Sequence, residues 1–153
     1  MEIENRLKEI GIELPSPVKP VANYVTAVQT GNLVFTSGHG PVNMSGDLET
    51  GQLGAGMTIE EGYQSARLVG LGLISTLKDA LGDLDRIKRV VKVVGFVNST
   101  PDFLDHPKVI NGVSDLLVEV FGDKGRHARS AVGMVQLPGG IPVEVEVIVE
   151  VED

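Results

Sequence analysis

The feature that most constrains the fold is a strict alternation of residue types near the end of the chain. Every second residue from 143 to 151 is valine, while three of the four intervening positions are glutamate. Successive side chains of a β-strand point to opposite faces of its sheet. The pattern therefore predicts a strand with one buried face and one face turned to solvent, a cleft or another subunit.

The residues before this strand predict a partner for it. Ser130–Gln136 is strand-like, and the turn residues 137-LPGG-140 separate it from Pro142–Val151, so 129–151 is predicted to form a closing β-hairpin. Arg129 stands at the head of this hairpin, at the edge of the sheet. Because arginine can hold a carboxylate through two parallel charge-assisted hydrogen bonds, we predict that Arg129 binds a small acid.

A regular hairpin would also set the separation of Arg129 from Glu144. Glu144 would pair near Gly133, four residues from Arg129, which places the two side chains roughly 13 Å apart at ~3.3 Å per residue. One small ligand cannot contact both side chains directly over that distance. Either the arginine reaches along the strand, or a water bridges the two groups, or another subunit completes the site.

Composition narrows the class of protein. The 153 residues are the size of one domain, predicted to span 1–153 with residues 1–20 as a helical and proline-rich extension. The chain has no cysteine and only three scattered histidines, so we expect neither a metal site nor a cofactor. A net charge of −8 argues against binding of nucleic acid through the overall charge of the protein. The lack of a long apolar run and the charged first residues predict a cytoplasmic protein with no membrane partner.

Capping and turn signals predict the remaining elements. They are a helix over Ile3–Ile10, strands over 24–29 and 32–37, a helix from the Thr58 capping box to Leu81, a strand over 87–99 and a helix from Pro107 to Phe121. Two helices separated by one strand, in an otherwise hairpin-built sheet, predict an α+β fold with the helices on one face.

The glycine-rich stretch Gly38–Gly56 is predicted to be a long loop that lines a site. Three glycines of the first long helix, Gly62, Gly70 and Gly72, are interpreted as close backbone packing against the sheet.

Four segments together resemble one known family. They are 32-NLVFTSGHGPV-42, the helix that begins 58-TIEEGYQSARLVG-70, 93-VVGFVNS-99 and 128-ARSAVGMVQLPGGIPVEVEVIVEV-151. This combination is similar to the RidA/YjgF family, also called the L-PSP or endoribonuclease-like family, in a longer branch. The resemblance implies a chorismate-mutase-like fold, with a mixed sheet and two helices on one face. It also implies a homotrimer with ligand clefts between subunits, and hydrolysis of reactive enamines and imines such as 2-aminoacrylate to 2-keto acids and ammonia.

The resemblance also assigns residues to a site. Arg129 matches the carboxylate-binding arginine and Glu144 the acidic residue that handles water. Further matches that would bind substrate are Tyr24, Ser37, Gly38, Asn111 and Ala131. Asn111 matches only loosely, because the segment from it to Arg129 is one residue longer here. Ala131 stands where many members have cysteine, which excludes any role for a thiol but leaves a backbone contact.

The predicted chemistry is simple. A 2-imino acid is hydrolysed when water adds to its C=N carbon and ammonia leaves, so an enzyme must hold the carboxylate and place a water beside that carbon. Arg129 can do the first, and a glutamate can activate the water and then protonate the departing nitrogen. The expected partners are thus a small 2-imino or 2-keto acid and other copies of the chain.

Other interpretations remain open at this point. Arg129 could be a structural salt-bridge partner of Glu119 or of a C-terminal carboxylate, and Glu144 a solvated strand residue. Tyr24 could serve core or interface packing, His39 could face a ligand or solvent, and His127 is interpreted as a surface histidine. Two further functions compete with the deaminase: a non-catalytic carboxylate binder or regulatory protein, and an endoribonuclease. The acidic balance, the few aromatic residues and the lack of paired histidines count against the last.

Overall fold

The structure is a computed structural model that describes residues 1–152, within which the chain forms three α-helices and five β-strands. The helices are α1 (Glu2–Glu9), α2 (Ile59–Leu81) and α3 (His106–Phe121), and the strands are β1 (Ala27–Thr30), β2 (Leu33–Thr36), β3 (Ile87–Asn98), β4 (Ala128–Met134) and β5 (Val143–Val151). Every predicted helix and strand is present, with ends displaced by at most three residues. The predicted α+β class is confirmed.

The five strands form one mixed sheet in the order β1-β2-β5-β3-β4. The β1–β2 hairpin has the predicted turn, with Thr30 opposite Leu33. β5 lies antiparallel between β2 and β3, whereas β4 pairs only with β3 and runs parallel to it. The crossover from β3 through α3 to β4 is what makes the sheet mixed, because parallel neighbours need such a connection.

The predicted hairpin of 129–151 is wrong, because β3 lies between β4 and β5. The Leu137–Gly140 turn carries the chain across the end of β3 instead of reversing it beside β4. Hydrogen bonds at that end show the crossing: Asn98 N–H donates to the Pro142 carbonyl on one side, and Ser99 N–H donates to the Met134 carbonyl on the other. A Pro-Gly-Gly signal marks a change of direction but does not specify which strand follows as neighbour.

Helices α2 and α3 cover one face of the sheet, as predicted. The five alternating valines of β5 point into this core and are at most 2% exposed. Val93 and Val97 of β3 are buried beside them. Among residues 1–152, no helix covers the opposite face, which carries the β5 glutamates; we call it the open face. Helix α1 packs beside α3 through the buried Leu7, and the Asp85 carboxylate accepts hydrogen bonds from the first N–H groups of α1.

Close packing of α2 against α3, rather than against the sheet, explains two of its three glycines. A Cβ at Gly62 would meet Leu53 and Val109, and one at Gly70 would meet Leu116 at 2.7 Å. Gly72 has no such neighbour, since the nearest atom to its added Cβ is 4.0 Å away. The capping box predicted at the start of α2 is confirmed, with Thr58 and Glu61 bonded reciprocally.

The long loop predicted between β2 and α2 is present and runs across the end of the sheet. It is attached by two bridges, His39 to Val145 and Leu53 to Ser99. Leu53 is fully buried and so anchors the loop in the core. Among residues 1–152, no helix has the length and apolar character needed to cross a bilayer.

Candidate active site in two halves

Arg129 lies at the contact between β4 and α3. Its Nη1 donates to Asn111 Oδ1 over 2.8 Å and to Ser114 Oγ over 3.1 Å. Asn111 and Ser114 are three residues apart on α3 and therefore share one face of that helix. His127 adds a further contact to Ser114, with its Nε2 2.9 Å from Ser114 Oγ. We call these four residues the arginine cluster.

The arginine cluster leaves part of the guanidinium available. Within residues 1–152, Nε and Nη2 of Arg129 make no hydrogen bond and no carboxylate lies within 4 Å of the guanidinium. Glu119, the structural partner considered above, pairs with Arg67 instead, at 3.2 Å. The C-terminal carboxylate, the other partner considered, lies outside the described residues. Nε–H and one Nη2–H form the parallel pair of donors that a carboxylate binds in a bidentate manner.

His127 is half-buried, not the solvated surface residue that the sequence suggested. Its Nδ1 lies 2.6 Å from the carbonyl oxygen of Gly125. Burial first, and then repulsion from Arg129, lower the pKa of His127 below its ordinary value of 6.5. A neutral imidazole at neutral pH is the result.

Glu144 forms the second half of the site, beside Gly38. A Cβ on Gly38 would collide with the Glu144 side chain as it lies here, so the glycine lets this carboxylate lie directly against the backbone. Burial, and then repulsion from Glu146, raise the pKa of the Glu144 carboxyl above its ordinary value of 4.5. A carboxylate made more basic in this way is a better proton acceptor. We call Glu144, Gly38 and the adjoining Ser37 the glutamate cluster.

His39 fixes the backbone of the glutamate cluster. It is 5% exposed, so it faces neither a ligand nor solvent, contrary to both interpretations from sequence. Its Nδ1 contacts the Ser37 carbonyl at 2.8 Å and its Nε2 contacts Thr76 Oγ1 at 2.7 Å. The side chain thereby ties the end of β2 to α2.

The two clusters lie on opposite faces of the sheet in one chain. Arg129 is level with the buried Val93 and points towards α3, whereas Glu144 is level with Phe96 and points to the open face. Phe96 is also level with Val132, three residues beyond Arg129. At ~3.3 Å per residue and ~4.8 Å per strand spacing, the Cα atoms of Arg129 and Glu144 are about 14 Å apart. The sheet itself therefore separates the two groups.

The other predicted substrate-binding residues divide between the two clusters. Ala131 follows Arg129 on the α3 side of β4, level with Gly95. Ser37 Oγ donates to the Val25 carbonyl over 2.7 Å, which places the Tyr24 segment beside the glutamate cluster. Tyr24 is 48% exposed, so it is not a core residue.

Sequence reasoning missed Ser114 altogether. Its three-residue spacing from Asn111 was visible as a shared helix face, but only the crossover to β4 shows that this face meets Arg129. No group of three or more histidine, aspartate or glutamate side chains in residues 1–152 is arranged to hold a metal ion.

Comparison with known proteins shows the family of this chain. The family described as "YjgF/chorismate mutase-like, putative endoribonuclease" matches residues 4–148. Protein TCP17 of Trypanosoma cruzi is 49% identical over 148 residues, which are 96% of this chain and 92% of that protein. The 2-iminobutanoate/2-iminopropanoate deaminase of Dermatophagoides farinae is 30% identical over 92% of this chain and 95% of its own length.

A solved structure extends the comparison to three dimensions. The crystal structure of Atu1372 from Agrobacterium tumefaciens, a protein of unknown function, gives a TM-score of 0.91 at 43% identity, covering 99% of this chain and 93% of that one. The resemblance predicted from four sequence segments is thus confirmed over nearly the whole chain. The chain belongs to the YjgF/chorismate mutase-like family, the family also called RidA/YjgF.

Proposed function

We propose that this protein hydrolyses 2-imino acids, and the enamines in equilibrium with them, to 2-keto acids and ammonia. The observation that carries the proposal is the pair of clusters: a guanidinium with a free bidentate edge, and a carboxylate whose pKa is raised above its ordinary value. The deaminase from Dermatophagoides farinae supports the same substrate class.

Each cluster has one task in the proposed reaction. Nε–H and Nη2–H of Arg129 hold the substrate carboxylate. Glu144 accepts a proton from the attacking water as the water oxygen bonds to the C=N carbon, and passes that proton to the imine nitrogen, which gives a neutral carbinolamine. Glu144 then accepts the hydroxyl proton as the C=O bond forms and donates it to the nitrogen, which leaves as ammonia. The net change is imine plus water to ketone plus ammonia.

We further propose that the site forms between copies of the chain, in a homotrimer. Within one chain the sheet separates Arg129 from Glu144, so a single ligand meets both only if they come from different subunits. The open face is suited to burial against another copy, because it presents large apolar side chains to solvent. Phe35 is 39% exposed and Val28 is 53% exposed there, and Val132 is 42% exposed on the edge strand β4. Apolar exposure of this kind is typical of interfaces.

The direct test is turnover of a freshly generated 2-imino acid. Purified protein is added to 2-aminoacrylate as it forms, and the rate of 2-keto acid release is compared with the spontaneous rate. A faster release that depends on both Arg129 and Glu144 is expected. Release at the spontaneous rate would refute the proposal.

A carboxylate binder without turnover is the second candidate. It is favoured by the separation of Arg129 from Glu144 within one chain, because Arg129 can bind a carboxylate without Glu144. In that case a stable 2-keto acid binds, while release from the imine stays at the spontaneous rate.

A further inference from the structure

We propose that His127 is a positioning residue for Arg129 and acts through the hydroxyl group of Ser114. The inference rests on the proposed function in taking Arg129 as the carboxylate-binding residue. His127 is two residues before Arg129 on the chain, and on α3 the Ser114 side chain lies between them. In this arrangement His127 touches no substrate atom.

The hydrogen bonds fix where each proton lies. A carbonyl can only accept, so the 2.6 Å contact with Gly125 places a hydrogen on His127 Nδ1. In a neutral imidazole Nε2 is then an acceptor, and across 2.9 Å it receives the Ser114 hydroxyl hydrogen. The lone pairs of Ser114 Oγ are left for the Nη1–H of Arg129, at 3.1 Å. The order of donation is therefore Arg129 to Ser114 to His127.

The surroundings of His127 favour this neutral form. Arg129 faces it from β4, and Arg126 precedes it on the chain. Arg89 of β3 and Glu150 of β5 line the same cavity as His127. Burial and the nearby Arg129 charge both act against a second proton, which agrees with the lowered pKa of His127. Nε2 thus stays available as an acceptor at neutral pH.

Removal of the acceptor would release the Ser114 hydrogen. A serine hydroxyl inside a helix turns readily to the carbonyl oxygen one turn back. Its lone pairs would then turn away from Arg129 Nη1, which would be held by Asn111 Oδ1 alone, at 2.8 Å. The guanidinium would then rotate, and its Nε–Nη2 edge would no longer be held for a carboxylate.

The test compares His127→Leu, which removes the acceptor, with His127→Gln, whose amide oxygen can replace Nε2. The first readout needs no ligand: ¹⁵N NMR of the Arg129 guanidinium should show hindered rotation in the wild type and in His127→Gln, and fast rotation in His127→Leu. The second is pyruvate affinity by calorimetry, expected to fall about fivefold in His127→Leu, the usual worth of one neutral hydrogen bond. His106→Leu is the matched control, since His106 also bonds a serine, Ser99, at 3.1 Å; it should leave both readouts unchanged.

A double-mutant cycle decides whether His127 acts on Arg129 through Ser114. Ser114→Ala and His127→Leu together should weaken pyruvate binding no more than either change alone, because both interrupt one chain of bonds. Hindered rotation of Arg129 in His127→Leu, or additive losses in the double variant, would overturn the inference. A wild type that binds no pyruvate would instead refute the proposed function, while the rotation of Arg129 would still decide the role of His127.

Discussion

At the scale of single residues, Arg129 is held by one nitrogen and open at the other two. Asn111 and Ser114 occupy Nη1, so Nε and Nη2 remain for a ligand. Arg129→Lys keeps the charge but cannot present two parallel donors. We expect pyruvate binding to weaken by about 2–3 kcal/mol, the range for hydrogen bonds to charged groups. Calorimetry measures this loss, with Arg67→Lys as the control that keeps full affinity. A loss of folding in Arg129→Lys with affinity intact would instead mark a structural arginine.

A substitution at Glu144 should affect turnover without affecting binding. Glu144→Gln preserves the size of the side chain but removes the base, so turnover of the imine should fall by ~10²–10⁴. Pyruvate affinity should hardly change, because Arg129 still holds the carboxylate. Steady-state assays together with calorimetry test both expectations. Unchanged turnover would exclude Glu144 as the base.

The raised pKa of Glu144 has a further consequence for stability. A carboxyl whose folded-state pKa is raised stabilises the fold below its unfolded pKa, and that contribution is lost as pH rises through the folded value. At neutral pH the charged Glu144 therefore costs stability, and Glu144→Gln should unfold at the same or a higher urea concentration than the wild type. A clear drop in that midpoint would contradict this reading.

The neighbouring Glu146 should shift the acid limit of activity. Its charge is the second cause, after burial, of the raised pKa of Glu144. Glu146→Gln removes this repulsion, so Glu144 should stay ionised to lower pH. The acid limb of the kcat/KM profile should then move to lower pH with the rate at neutral pH retained. An acid limb that stays in place would show that another group titrates there.

At the scale of elements, local signals predicted the helices and strands but not the pairing of β4 and β5. The valine alternation of β5 and the Thr58 capping box act within a few residues, so the sequence alone reveals them. Whether β4 lies beside β5 or beyond β3 depends on how α3 packs, which no short segment encodes. The same limit applied to the candidate site: motifs proposed Arg129 and Glu144 as its residues, but only the register shows that the two side chains face opposite sides of the sheet.

The contact between α2 and α3 can be tested through two helix glycines. A Cβ at Gly112 of α3 would collide with the Tyr63 carbonyl of α2, and a backbone atom cannot move aside cheaply. Gly112→Ala should therefore lower the free energy of unfolding by about 1–3 kcal/mol through overpacking. Gly72→Ala is the matched control: its Cβ meets nothing closer than 4.0 Å, so better helix propensity should stabilise it by up to about 1 kcal/mol. Urea unfolding of both variants measures the difference, and equal effects would contradict the packing argument.

At the scale of the whole molecule, the separation of the two clusters makes assembly part of the proposed chemistry. Arg129 belongs to the α3 side of an edge strand, whereas Glu144 belongs to the open face, about 14 Å away by strand geometry. An enzyme that uses both must bring the edge of one copy to the open face of the next. A cyclic trimer repeats that heterologous contact three times and closes.

Mixing two inactive variants tests this shared site directly. Arg129→Lys and Glu144→Gln subunits, unfolded together and refolded at equal amounts, should form mixed trimers. A site that takes its arginine from one subunit and its glutamate from the next is intact in about a quarter of random pairings, so roughly that fraction of wild-type turnover should return. Each variant refolded alone is the control and should stay inactive. Light scattering must show a trimer in every sample. A stable monomer at micromolar concentration, or a mixture as inactive as its parts, would mean that Arg129 and Glu144 do not serve one site between subunits.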